Sequence, residues 1–316
     1  DQLNKAGHLV TIFEKEDAAG GLLRYGIPDF KLNKKVVDRR LNVLLEEGIK
    51  IKTGMEVGNN MDVKKLVESY DAVCIAIGAE HPRDLNVPGR DLDGIHFAMD
   101  YLRQQNKINR GLEVPYDYLI NARDKNVVVL GGGDTGSDCV GTAVRQGAKS
   151  ITQIEILPAP VKVEGRENPN WPFAPKVLKT TTSHQEGCNR RWSLSTRKFM
   201  GDMWHVTALE LIQVEWQKDE KGQMQIQEIP DTAEILEADL VLLSMGFIHP
   251  VQEGIIDSLG IKVNARKNIV TDSKFLTSNE KVFAAGDARN GASLVVTAIY
   301  SGRQAAEAIN DYLSVD

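Results

Sequence analysis

The chain reads as an α/β protein in which short apolar strands alternate with helices, and three observations predict this. The first is Asn126-Val-Val-Val-Leu-Gly131-Gly-Gly133-Asp134-Thr135-Gly136, a β-branched run ending in a glycine loop. That loop opens a helix expected over 137–146, with Gly147 as its stop. The second is a strand that ends at an acidic residue, found twice: His8 to Phe13 before Glu14, and Ser150 to Ile156 around Glu155. The third is a repeated order of aspartate, apolar strand and glycine, from Asp71 to Gly78 and from Asp239 to Gly246.

Strand, G-x-G-x-x-G and helix in that order are what a dinucleotide-binding βαβ unit requires. Gly131 permits the tight turn, Gly133 lets the backbone approach a pyrophosphate, and Gly136 lets helix and strand pack closely. Free N–H groups at the helix start then face the phosphates. A glycine-rich turn without a ligand has the same local pattern. The strand that follows, with Glu155 placed 24 residues after Gly131, favours a nucleotide. An acidic residue at about that distance contacts a ribose hydroxyl in such units.

The N-terminal stretch repeats the second half of this unit. Asp1 to Ala6 reads as the end of a helix capped by Gly7, and the strand from His8 leads to Glu14, where a ribose-binding carboxylate belongs. The first strand and its glycine loop would precede Asp1, so the sequence is expected to be a fragment whose N-terminal unit holds its dinucleotide weakly or not at all. Gly20-Gly21 allows close backbone approach, and the segment through Leu22, Arg24 and Pro28 suits a flat ligand. A helix is expected from Lys34 to Glu47 with Val36, Val37, Leu41, Leu44 and Leu45 on one side. It precedes a strand at 49–53, a helix at 61–69 and a buried strand ending at Gly78.

Residues 158–202 read as a loop-rich segment, and a β-hairpin is expected from Leu209 to Trp216 and Gln223 to Ile229 around Asp219 to Gly222. Near the C-terminus, the strand from Lys281 ends at Gly286-Asp287, and a small-residue helix runs from Ala298 to Tyr312. A strand ending in Gly-Asp before a helix start can offer a carboxylate to a sugar-like chain and backbone N–H groups to an electron-poor ring.

The 316 residues, 42% apolar and 26% charged, suit about two domains, and no disulfide or metal is needed to support cores of that size. A net charge of −6 argues against nucleic acid, and no apolar run of membrane-spanning length or signal peptide occurs. Cys74, Cys139 and Cys188 are far apart with no C-x-x-C, which argues against a dithiol reductase and a cysteine-ligated cluster. Cys74 and Cys139 are expected in the core, and a reducing, cytoplasmic setting fits. No metal-ligand cluster stands out. His81, His184 and His205 are isolated and are given no catalytic role.

Taken together, Glu14, Gly20 to Pro28, Gly131 to Thr142, Glu155 to Pro158, Glu186 to Asp202, Glu237 to Phe247 and Phe283 to Arg303 resemble the two-dinucleotide-binding flavoprotein oxidoreductases. Within them, the likeness is to the glutamate synthase small-subunit family. It implies two Rossmann-like dinucleotide-binding domains, with an NAD(P)H domain (114–246) inserted into a discontinuous FAD domain (1–113 and 247–316). It further implies that Glu14 holds the FAD adenosine ribose and that Gly20, Gly21, Leu22, Arg24 and Gly78 lie along the cofactor. Gly286 and Asp287 would hold its ribityl or pyrophosphate region, and Leu294 and Val295 would face the flavin. Gly131, Gly132, Gly133, Asp134 and Thr135 would cradle the phosphates of NADPH or NADH.

No catalytic acid or base is expected, because hydride transfer needs stacked rings and excluded water rather than a protein proton donor. Glu155 opposes a 2′-phosphate, whereas Arg166, Arg190 and Arg191 could offset it. Electrons would leave through iron–sulfur clusters outside this chain to a glutamate synthase large subunit or an equivalent acceptor. The family's cysteine-rich N-terminal region is absent here, and Gly201-Asp-Met-Trp-His205 replaces the family's Gly-Asp-Glu-type stretch. The alternatives are an electron-input module for ferredoxin or a pyrimidine reductase, and a fold without bound FAD.

Overall fold

A computed structural model of the protein describes residues 1–160 and 177–314. In chain order, α1 (Gln2–Lys5), β1 (Thr11–Phe13), α2 (Gly21–Tyr25), α3 (Lys34–Glu46), β2 (Lys50–Lys52), α4 (Val63–Ser69), β3 (Val73–Ile75) and β4 (His81–Pro82) form the N-terminal part. Then come β5 (Ile95–Phe97), α5 (Ala98–Asn109), β6 (Asn126–Leu130), α6 (Asp134–Gln146), β7 (Ser150–Glu155) and α7 (Thr182–Gln185). Strands β8 (Asn189–Trp192), β9 (Leu194–Asp202), β10 (His205–Lys218), β11 (Met224–Glu228), β12 (Glu234–Glu237) and β13 (Leu240–Leu243) follow. The chain closes with β14 (Phe247–His249), α8 (Ile255–Ser258), β15 (Val282–Ala284), α9 (Asp287–Asn290) and α10 (Val295–Leu313).

These elements form two compact units. The first contains Asp1–Arg24, Asn33–Arg83 and Gly246–Asp316, and the second Tyr25–Leu32 and Asp84–Met245. The break falls after residue 83 rather than after residue 113, because β5 hydrogen-bonds in parallel to β13 through Ile95–Val241 to Phe97–Leu243. Residues 25–32 join the second unit through the Asn106 side chain, whose Nδ2 donates to the carbonyls of Tyr25 (3.0 Å) and Ile27 (3.3 Å).

The second unit is built on a parallel sheet in the order β5-β13-β6-β7-β8. Strand alternation sends successive β6 side chains to opposite faces. Val127 and Val129 pack with Tyr101 and Leu102 of α5 and with Cys139, Val140 and Ala143 of α6. Val128 and Leu130 pack with Leu194, Phe199, Leu209 and Leu211 of the antiparallel sheet formed by β9 and β10. Both faces are therefore covered, which is why β6 reads as an unbroken apolar run. The segment 158–202, read as loop-rich, contributes α7, β8 and β9 among its described residues. The hairpin of β10 and β11 forms as expected, and β10 also pairs with β9 and β12.

In the first unit, β1 pairs in parallel with β2, and β3 with β15. One core joins Ile75, Val282 and Ala284 to Val63 and Leu66 of α4 and to Phe13. A second joins Phe283 and Ala285 to Ala305 and Ile309 of α10 and to Leu3. Cys74, expected in the core, is exposed. It lies between Val73 and Ile75, both packed in the first of these cores, so strand alternation turns it to the opposite face, beside its strand partner Phe283. Helix α3 buries Val37 but leaves Val36 and Leu45 about half exposed, so its expected apolar stripe is narrower than drawn. Leu242 is fully buried, whereas Leu9 is 94% exposed. Leu242→Ala should lose about 2–5 kcal/mol of stability and Leu9→Ala under about 0.5, read from urea midpoints.

Candidate functional site

The glycine loop sits at the carboxyl end of β6, in mid-sheet of the second unit. Gly131 has φ +125°, and a Cβ there would stand 2.3 Å from the Ser244 carbonyl oxygen. A Cβ at Gly136 would stand 2.3 Å from the Gly131 carbonyl oxygen, so that position admits only hydrogen. Helix α6 starts at Asp134, three residues earlier than expected, with Gly133 as its N-cap and no side chain capping it. Its first bond runs from Ser137 N to the Gly133 carbonyl at 3.1 Å, and the amides ahead of it have no intrahelical acceptor. Gly133 and Asp134 are exposed. An anion fits that geometry, since N–H groups and the positive end of the helix dipole both favour it.

Glu155, at the end of β7, lies directly beside this loop. Its Oε2 accepts from Gly132 N at 2.7 Å and its Oε1 from Leu157 N at 3.0 Å. The carboxylate is thus fixed where the parallel strands end, as a ribose-binding group requires. Arg191 pairs with Glu234. Arg190 lies 5.0 Å from the Trp192 ring and donates to the Lys179 carbonyl. Neither guanidinium pairs with Glu155, and Arg166 lies outside the described residues.

In the first unit, Glu14 follows β1 and its Oε1 accepts from Glu16 N at 3.0 Å. Gly78 and Gly286 follow the carboxyl ends of the paired strands β3 and β15, with φ +74° and +65°. Gly286 N donates to Ser301 Oγ at 3.0 Å, and Asp287 Oδ1 accepts from Ser293 Oγ at 2.6 Å. Gly20 has φ +133°, and Gly21, with φ +49°, begins α2 with open space where a Cβ would lie. Leu22, Leu294 and Val295 are exposed. Arg24 is only 4% exposed. Its Nε donates to the Ala19 carbonyl (2.6 Å) and its Nη2 to Asp38 Oδ1 (2.5 Å), which supports the Gly20-Gly21 turn from behind.

In the sequence, Gln153 and Ser244 are given no role, and His184 stands only as an isolated histidine. A glutamine inside the apolar β7 run was the available signal, since a buried polar residue is the informative exception in a core. The imidazole of His184 is nearly buried, and its pKa is pushed down to about 4, first by burial and then by Arg190 and Lys31. His81 stacks on His249 with centroids 4.4 Å apart, and His205 lies exposed near Asp93. Cys139 is buried, and burial raises its thiol pKa. Among the described residues, no cluster of potential metal ligands occurs and no helix is long and apolar enough to cross a membrane.

His184 makes the second unit acid-sensitive. An unfolded histidine takes up its proton near pH 6.5, whereas the folded one holds off to about 4. The unfolded chain therefore binds more protons between those values, and stability fully present above pH 6.5 falls on acidification, at most by about 1 kcal/mol per pH unit. Urea unfolding at pH 7 and pH 5 should show a larger loss in the native protein than in His184→Gln. Equal losses would contradict this.

Residues 2–302 match the pyridine nucleotide-disulphide oxidoreductase family. The chain is 44% identical to the NADH glutamate synthase of Schizosaccharomyces pombe, over 98% of this chain and 15% of that protein. It is 42% identical to the NADPH glutamate synthase small chain of Mycobacterium tuberculosis H37Rv, over 99% of this chain and 63% of that one. The chain thus spans less than two thirds of the length of either relative. The fold is also that of M. tuberculosis FprA in complex with NADPH, with a TM-score of 0.74 at 17% identity over 99% of this chain and 80% of that one. With the match running almost end to end, the chain belongs to the pyridine nucleotide-disulphide oxidoreductase family.

Proposed function

We propose that this chain takes hydride from NADPH or NADH onto FAD and passes the electrons to a partner subunit. In this reading it is the electron-input part of a glutamate synthase, which forms glutamate from glutamine and 2-oxoglutarate. The observation that carries the reading is the loop from Gly131 to Gly136, whose close backbone contacts exclude a Cβ at Gly131 and Gly136 and whose helix start is uncapped. The likeness to the fission yeast and mycobacterial glutamate synthases supports the choice of reaction and of a large-subunit partner.

The second unit would hold the nicotinamide dinucleotide. Gly131, Gly132, Gly133, Asp134 and Thr135 would cradle its pyrophosphate, and Glu155 would accept from its ribose hydroxyls. The first unit would hold FAD, and its residues fit that group. Gly21 and Gly78 leave open space where side chains would stand, and Asp287 offers a carboxylate at a strand end. In this reading Glu14, Gly20, Leu22, Gly286, Leu294 and Val295 would complete that surface, and Arg24 would support it through its bonds to the Ala19 carbonyl and Asp38. When bound, the flavin supplies an acceptor that takes electrons in pairs and releases them singly. No side chain has to move a proton, and His184 is committed to structural hydrogen bonds instead. Single electrons would leave by iron–sulfur clusters outside this chain.

Anaerobic stopped-flow measurement on FAD-loaded protein should show the flavin band bleached by NADPH or NADH. Addition of a glutamate synthase large subunit with glutamine and 2-oxoglutarate should restore it. Reoxidation by ferredoxin or a pyrimidine, but not by the large subunit, would move the chain to another electron-input role. The native Glu155 carboxylate opposes a 2′-phosphate, so Glu155→Gln should raise NADPH affinity relative to NADH about tenfold, equivalent to about 1.4 kcal/mol. An unchanged ratio in direct binding would remove Glu155 from the ribose site.

A further inference from the structure

Two side chains reach the Gly131 carbonyl oxygen. Gln153 Nε2 donates to it at 2.8 Å, and Ser244 Oγ lies 3.3 Å from it while donating its one hydrogen to the Leu130 carbonyl at 2.9 Å. The same peptide presents its N–H, that of Gly132, to Glu155 at 2.7 Å. The plane of the peptide between Gly131 and Gly132 is therefore held at both ends, by Gln153 on one side and Glu155 on the other.

Gln153 is only 2% exposed, and its orientation follows from its neighbour. The backbone N–H of Thr181 lies 3.1 Å from His184 Nδ1, and a backbone N–H can only donate, so Nδ1 is an acceptor. The imidazole proton is then on Nε2, which donates to Gln153 Oε1 at 2.9 Å. With its oxygen engaged in this way, the amide turns its NH2 to Gly131. At the far end Lys31 Nζ can only donate, so at 3.0 Å it makes Ser137 Oγ an acceptor, and the Ser137 and Thr181 hydroxyls share a hydrogen bond of 2.6 Å in which either can donate. Lys31 is anchored in turn by Asp138 at 2.5 Å. A continuous chain of side chains thus runs from α6 through α7 to the Gly131 carbonyl.

We infer that Gln153 and His184 are positioning residues for dinucleotide binding, and that they do so by fixing the Gly131–Gly132 peptide so that the loop's remaining amides face the phosphates. This rests on the reading of the loop as a dinucleotide site. Neither side chain would touch the ligand. Because the phosphates they serve are common to both nucleotides, their loss should weaken NADH and NADPH equally. That separates them from Glu155, which acts on the ratio.

The test uses the full chain, with NADH and NADPH binding measured by calorimetry well below the melting temperature. The carbonyl carbon resonance of Gly131 is followed without ligand. Gln153→Met keeps length and burial but removes the donor. It should weaken both nucleotides about tenfold and shift the Gly131 resonance, while Val140→Ala, a core change on α6, leaves both readings at the native value despite its loss of stability. If Gln153→Met does not fold, His184→Gln should shift the same resonance and weaken both nucleotides two- to threefold. Native affinity in the folded variants, or a loss confined to one nucleotide, overturns the proposal. A native protein that binds neither nucleotide overturns the reading of the loop, and the proposal with it.

Discussion

The second unit depends on one close approach, that of the Gly131 carbonyl to the backbone of Gly136. Only hydrogen fits at Gly136, because a Cβ would lie 2.3 Å from that oxygen, 2.6 Å from Gln153 Nε2 and 3.0 Å from Ser244 Oγ. This contact sets how near α6 comes to β6, and so the packing of Cys139, Val140 and Ala143 against Val127 and Val129. It also leaves the uncapped start of α6 at the end of the parallel strands. The buried interface and the exposed amides are consequences of the same geometry.

Around that contact, stability and chemistry are divided between the two faces and the end of the sheet. The faces are apolar, one covered by α5 and α6 and the other by β9 and β10. Polar groups gather at the loop, where Glu155, Gln153, Ser244 and the backbone satisfy one another. A buried polar group left without a partner costs about 1–3 kcal/mol, so such a cluster is stable only when each member is matched. Matching also restricts motion, and a restricted loop loses less entropy when a ligand binds. The first unit follows a looser version of this plan, with Gly78, Gly286 and Asp287 at the ends of a strand pair.

What was legible in the sequence was local. The β6 run, the glycine spacing and the left-handed stop at Gly147 are each set within a few residues, and each formed where expected. Pairing over long separations was not legible. Strand β5, which ends at Phe97, joins β13, which begins only at Leu240, and its three-residue length carries no periodicity of its own. The Gln153–His184 bond spans a separation of 31 residues, and its polarity depends on a backbone amide at Thr181. Arg24 shows the limit from the other side. A cation within a glycine-rich cofactor segment suggested a ligand, yet Asp38 and the Ala19 carbonyl hold it inward. Residue type indicated chemistry, and only the third dimension indicated direction.

The loop from Gly131 to Gly136 is read as holding dinucleotide phosphates through the amides of Gly133 to Gly136, while those of Gly131, Gly132 and Ser137 already bond to Ile154, Glu155 and Gly133. Hydrogen exchange with mass-spectrometric readout, with and without saturating NADPH, tests this most directly. Protection concentrated in peptides covering 133–136 is the expected result, because those amides gain acceptors when phosphates arrive. Unchanged exchange across 133–136, with protection appearing elsewhere in the second unit, would contradict it.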